Sequence, residues 1–227
     1  MKLQYLGDSK DSFKWDYHDY LTSNLGYPFL NIFLMMTPDD QSNEGKTPPS
    51  NFCAKAEIIN FCEALRMHRN LNLITELPSR TRSKYIVKLH NPNIYITNQN
   101  RTSYFSGIAT ESDQVFFLDP DNGFQPDGKF NGKHVLYSEV NCLLKEISDG
   151  SIISVFQHSR RYISFTKVFE CIRCHLSEFS IYNVTAIYWH SLMFVCLSKS
   201  KETIGKVMKI NENYKKMKVN GISVISD

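Results

Sequence analysis

Apolar residues recur along this chain at two periods, and the period switches repeatedly. From Asp11 to Thr22, the residues Phe13, Tyr17, Tyr20 and Leu21 share one face of a helix. From Leu30 to Met36 every residue but Asn31 is apolar, as in a strand covered on both faces. Ala54–Arg69 returns to helical spacing through Ile58, Phe61, Cys62 and Leu65. Tyr85–Leu89 predicts a strand, Ile94–Thr97 a weaker one, and Gln114–Leu118 a short apolar one stopped by Asp119-Pro120. Val135–Ile147 is helical, Ser151–Phe156 a strand, and Phe165–Phe179 a helix with Phe165, Val168, Phe169, Ile172, Leu176 and Phe179 aligned. Val184–Trp189 and Leu192–Leu197 are strands joined by His190-Ser191, and Glu202–Lys218 is a charged C-terminal helix. Residues 37–51 and 121–134, rich in Pro, Gly and polar residues, are exposed loops.

Strands alternating with helices predict a single α/β domain over residues 1–227, with a mostly parallel sheet and helices on both faces. The two-residue connection permits only an antiparallel hairpin at the end. The expected architecture is therefore Rossmann-like, closed by that hairpin.

Composition changes this outline little. The chain has 227 residues, is 42% hydrophobic and 22% charged, and carries 26 Lys and Arg against 23 acids, a net +3. That excludes a strongly basic coat that grips nucleic acid by charge alone, but not a local basic groove. The first residues lack an apolar leader, and no apolar run approaches the roughly 20 residues that span a bilayer. The expectation is a soluble cytoplasmic protein with no membrane partner and with its six cysteines as free thiols. Cys171-Ile-Arg-Cys174-His175 matches the C-x-x-C-H pattern of haem attachment. It falls inside an amphipathic helix, and no second cysteine pair stands at zinc-ligand spacing, so it reads as ordinary helix residues.

Chemistry collects at the strand ends, where open α/β sheets bind ligands. Leu30–Met36 runs into Thr37-Pro38-Asp39-Asp40. The strand at Gln114 runs into Asp119-Pro120-Asp121-Asn122-Gly123, and that at Ser151 into Gln157-His158-Ser159-Arg160-Arg161. Any one such run is a plain turn signal; three together indicate a site. Asp119 and the Pro120 carbonyl suit an exocyclic amine. Alternatively, Asp119 and Asp121, helped by Asp39 or Asp40, suit a hard divalent cation. His158 is a candidate acid/base, and Arg160 and Arg161 are candidate phosphate contacts. Arg80, Arg82 and Lys84 form a further basic loop. Near the N-terminus, Gly7-Asp8 leads into a helix on which Asp11, Lys14 and His18 form a polar stripe.

At these residues the chain resembles bacterial methyltransferases that modify adenine N6 in large-subunit ribosomal RNA, and the three-Cys-motif partner proteins that share their plan. Those enzymes begin with Gly-Asn…Asp-x-x-Lys-His; here Gly7, Asp11 and Lys14 match, Asp8 replaces Asn and Trp15 replaces His. They carry Asp-Pro-Pro-aromatic after the fourth strand; here Asp119 and Pro120 match, while Asp121 and Asn122 depart. The departure at Asn122 leaves base stacking to Phe124 or Tyr137. No Gly-rich turn follows the first strand. Asp-Pro-Asp-Asn-Gly followed by Gln157-His158 also resembles a group of small bacterial proteins without an assigned activity.

The resemblance implies methyl transfer from S-adenosylmethionine to a base amine in nucleic acid. Gly7, Asp8, Asp11, Lys14 and Asp39 would contact the cofactor. Asp119, Pro120, Asp121, Asn122 and His158 would form the reacting centre, and Phe124, Tyr137, Gln157, Arg160 and Arg161 would hold the substrate. Two alternatives stand beside it. One is a magnesium-dependent phosphodiesterase or nuclease that uses Asp39, Asp40, Asp119 and Asp121 as ligands, with Lys14, His158 and Arg160 on the phosphate. The other is a catalytically inactive Rossmann-like binding module.

Overall fold

The alternation along the strands sorts their side chains into two cores. On the strand at Val115, Val115 and Phe117 face one core while Phe116 and Leu118 face the other; Phe194 and Cys196 alternate with Met193 and Val195 in the same way. A sheet apolar on both faces needs helices on both, and the computed structural model has them. It describes residues 1–40, 45–108, 112–128, 130–218 and 221–225.

The helices are α1 (Ser9–Leu25), α2 (Ala56–His68), α3 (Leu77–Thr81), α4 (Arg101–Tyr104), α5 (Tyr137–Glu146), α6 (Phe165–Ser177) and α7 (Lys201–Met217). The strands are β1 (Phe29–Phe33), β2 (Ile86–His90), β3 (Val115–Leu118), β4 (Gly123–Phe124), β5 (His134–Val135), β6 (Ile152–His158), β7 (Val184–Trp189), β8 (Leu192–Leu197) and β9 (Ile222–Ile225). Seven of them form one sheet in the order β2-β1-β3-β6-β8-β7-β9. The first four are parallel; β8, β7 and β9 continue it antiparallel. This is a Rossmann-like α/β architecture. Helices α1, α2 and α7 cover one face, α5 and α6 the other. Among the described residues no helix is long and apolar enough to cross a membrane.

Three details depart from the sequence reading. Ile94–Thr97 is not a strand; Tyr95 makes only an isolated bridge to Met36. The sheet does not end at the β7–β8 hairpin, because β9 adds to the outer side of β7. The loop 121–134 contains β4 and the first residue of β5, which pair in parallel, so the following helix starts at Tyr137 and not at Val135.

Helix α1 lies at the centre of one core and is buried nearly all round, its polar residues included. Asp8 starts it, accepting from the backbone N–H groups of Lys10 (2.9 Å) and Asp11 (3.0 Å). Several of its polar residues find hydrogen-bond partners within the fold, while the Trp15 and Thr22 side chains have none among the described residues. Asp16 accepts from the Tyr214 hydroxyl and the Lys218 ammonium, and Asp19 from Thr81, Ser83 and Tyr85. His18 is held between the Lys14 carbonyl (2.7 Å) and the Ser154 hydroxyl (2.9 Å).

The approach to α1 is tight. Gly7 has φ +81°, and a Cβ there would run into the Cys62 carbonyl and the Arg66 amide of α2. Gly7→Ala is expected to cost about 2–4 kcal/mol, strain and overpacking combined. Gly128→Ala, with open space around it, is expected to stay within about 0.5 kcal/mol of the parent. Denaturant midpoints of the two variants check this.

Candidate functional site

The strand order reverses at β1. Its successor β2 lies on one side, and β3 on the other. The carboxyl ends of β1 and β3 therefore flank the switch point, where such sheets bind ligands. Asp119 directly follows β3, its N–H bonded to the Phe33 carbonyl of β1 (2.8 Å).

The two stretches singled out in the sequence meet here, although they are 105 residues apart. The Lys14 ammonium lies 2.8 Å from Asp119 Oδ2 and 3.0 Å from Asp11 Oδ1, and all three residues are buried. Gly7 N–H donates to Asp11 Oδ2 (2.7 Å), so Gly7 and Asp11 are locked together. Burial alone would lower the Lys14 pKa, but the two carboxylates outweigh it and hold the ammonium protonated. Burial, then the neighbouring Asp11 carboxylate, lifts Asp8 from 3.8 to about 6. Lys14 engages only one oxygen of Asp119. Among the described residues nothing bonds to Asp119 Oδ1, which leaves an acceptor at the cleft.

A cleft of about 280 Å³ opens over this pair. Asp8, Asp11, Lys14, Asp119, Pro120, Asp121, Asn122 and His158 all line it, so most of the predicted centre converges. Its rim also carries Lys10, whose ammonium is 3.4 Å from His158 Nε2, and Lys133, 3.7 Å from Asp121 Oδ2. Sequence reasoning passed over Lys2, Tyr5, Lys10, Lys133 and Phe156, which also line the cleft. Lys10 stood inside a stretch already singled out. The others arrive through tertiary contacts with no local signal.

Other predicted residues do different work. Gln157 accepts from Phe124 N–H (2.9 Å) and donates to the Asn122 and His158 carbonyls, so it fixes the turn after β3. Gly123 (φ +113°) is needed there, because a Cβ would collide with the Gln157 amide. Phe124 and Tyr137 do not face the cleft as base-stacking rings. They are 1% and 4% exposed and stack on each other at 5.0 Å, because β4 folds back against α5. Trp15 is wholly buried, edge-on to Phe117. Arg160 packs beside Cys171, Arg161 is exposed, and Arg80 pairs with Glu76. Asp39 faces a neighbouring groove and accepts from Gln4 N–H (3.1 Å).

The carboxylates named for magnesium do not come together. Lys14 holds Asp119, Lys2 holds Asp40, and Asp121 lies between Lys2 (3.8 Å) and Lys133 (3.7 Å). Among the described residues these four acids do not bring their oxygens within common ligating distance. Lysine ammoniums occupy the places a cation would take.

S-adenosylmethionine does not fit beyond β1 either. Residues 34–37 are buried there without a glycine. Met35 N–H takes the Tyr104 hydroxyl (3.0 Å), and Thr37 N–H takes the Met1 carbonyl (2.8 Å). The Met1 nitrogen bonds the Met35 and Asp119 carbonyls at 2.9 and 3.2 Å. Among the described residues, Met1 lies against the segment after β1, and the Met35 and Thr37 N–H groups that a nucleoside cofactor would need are already taken.

No family model matches this chain, and no curated protein matches it.

Proposed function

We propose that this Rossmann-like domain is a methyltransferase-like binding module whose switch-point cleft recognises a nucleotide unit, free or in a strand, through the exocyclic amine of its base. One observation carries this reading: Lys14 and Asp119, from the two stretches that resemble the ribosomal-RNA methyltransferases, meet at 2.8 Å under the cleft. The ion pair anchors Asp119 and leaves Oδ1 as an acceptor for an amine hydrogen, with Asp121 beside it. Lys10, Lys133 and His158 at the rim supply donors for a phosphate. A volume near 280 Å³ lies just below the range of small-ligand sites, roughly 300–1,000 Å³. That suits a small ligand such as one nucleotide.

Calorimetric titration of the full chain with adenosine, cytidine and uridine monophosphates tests the reading. The two amine-bearing nucleotides are expected to bind at least about 10-fold more tightly than the uridine nucleotide, which presents a carbonyl to the same carboxylates. Asp121→Asn is expected to shrink that preference. Equal affinity for all three, or no heat with any, contradicts the reading.

A further inference from the structure

The string Cys171-Ile-Arg-Cys174-His175 gains a third partner in the fold. Cys171 and His175 stand four residues apart on α6, hence on one helix face. Asp127, from the loop between β4 and β5, reaches over that face. His175 Nε2 is 2.5 Å from Asp127 Oδ1, and Cys171 Sγ is 3.9 Å from Asp127 Oδ2. Among the described residues this is the only set of three His, Cys, Asp or Glu side chains whose ligand atoms all lie within 4.8 Å of one another.

We propose that Asp127, Cys171 and His175 form a zinc site. Zinc bonds of about 2.0–2.3 Å in a tetrahedron put neighbouring N, O and S ligands about 3.3–3.8 Å apart. The observed spacings bracket this range, so sub-ångström shifts of half-exposed side chains seat the ion. Thiolate and imidazole together select zinc over magnesium or calcium. One thiolate and one carboxylate balance the charge of the ion.

Three surrounding groups fit the same assignment. The other ring nitrogen of His175, Nδ1, lies 3.2 Å from Glu178 Oε1, the outer carboxylate that fixes a ligating imidazole's tautomer. The Arg160 guanidinium stands against Cys171, as a donor to a thiolate would. The Tyr137 ring packs 4.9 Å from His175, and its buried hydroxyl has no hydrogen-bond partner among the described residues while feeling the charges of Cys171 and Asp127. A water on the ion's fourth position gives that hydroxyl a partner. The bound ion clasps the loop 121–134, and with it Asp121 and Asn122, to α6. The site is separate from the cleft and stands or falls independently of it.

The experiment uses the full chain, stripped with a chelator and kept reduced. Zinc is titrated in competition with a chromophoric chelator, and cobalt(II) serves as the spectroscopic probe. One equivalent is expected to bind, and cobalt is expected to give a thiolate charge-transfer band that Cys171→Ser abolishes and Cys174→Ser keeps. His175→Ala is expected to weaken zinc by at least about 100-fold, and Glu178→Gln by about 10-fold. If Cys171→Ser alters the metal-free circular dichroism, the His175→Ala and Asp127→Asn affinities decide. Absence of stoichiometric binding, loss of the band in Cys174→Ser, or unchanged affinity in His175→Ala overturns the proposal.

Discussion

Lys14→Met is expected to destabilise the protein by about 3–5 kcal/mol, the cost of stripping one partner from a buried ion pair. A domain of this kind has about 5–15 kcal/mol in total, so the variant sits at the edge of folding. The reason is specific. Lys14 serves two carboxylates at once, Asp119 Oδ2 at 2.8 Å and Asp11 Oδ1 at 3.0 Å, and neither is exposed. Without the ammonium, Asp11 keeps Gly7 N–H, but Asp119 loses the one side-chain partner it has among the described residues. Asp119 then takes up a proton instead of remaining ionised. Denaturant unfolding of Lys14→Met and Lys14→Met/Asp119→Asn checks this. The double variant is expected to recover part of the loss, since its buried amide needs no countercharge. A double variant no more stable than the single one contradicts the account.

The second large effect is acid sensitivity from His18. Burial first, opposed by its hydrogen bond to the Lys14 carbonyl, lowers its pKa from 6.5 to about 3. In the unfolded chain the imidazole titrates near 6.5, so between these values the unfolded state binds the extra proton. The stabilisation is complete above pH 6.5 and drains away as pH falls towards 3. A displacement of this size corresponds to about 5 kcal/mol. Asp8 works in the opposite sense. Its folded pKa of about 6 exceeds its ordinary 3.8, so lowering the pH between those values adds back about 3 kcal/mol at most. Beside the parent, a His18→Gln variant is expected to have a lower urea midpoint at neutral pH and to lose less stability between pH 6.5 and pH 4. Parallel pH profiles contradict the assignment.

Much of the architecture was legible in the sequence, and the exceptions have physical causes. Strands β7 and β8 were bounded correctly because a two-residue connection leaves no freedom. Strand β9 escaped notice because four residues after a charged helix carry too short a pattern. Helix α1 was legible by its caps and one aromatic face. Its burial on the polar face was not, because Asp16, His18 and Asp19 are satisfied by partners such as Tyr214, Ser154 and Tyr85, far along the chain.

The site divides in the same way. Asp119, Pro120, Asp11 and Lys14 were legible as two local patterns, and the fold brings them to one cleft. Phe124 and Tyr137 looked like rings available to a base. Spacing along a loop cannot show that β4 turns them onto each other. Cys171 and His175 looked inert because their third partner, Asp127, lies 44 residues before Cys171 in a glycine-containing loop with no ligand spacing. The resemblance to methyltransferases pointed to the edge of the sheet at which the cleft lies. It did not anticipate that residues 34–37 are buried and that Met1 bonds to Met35 and Thr37 beyond β1.

The central claim is that the cleft over Lys14 and Asp119 takes a single nucleotide while the crevice beyond β1 is closed. Thermal melting with adenosine monophosphate and with S-adenosylmethionine, each at millimolar concentration, without metal and side by side, tests it most directly. A ligand at about 100 times its dissociation constant adds about 2.7 kcal/mol of stability, a readable rise in melting temperature. The account predicts that rise with the mononucleotide and none with S-adenosylmethionine. A rise with S-adenosylmethionine, or none with the mononucleotide, contradicts it.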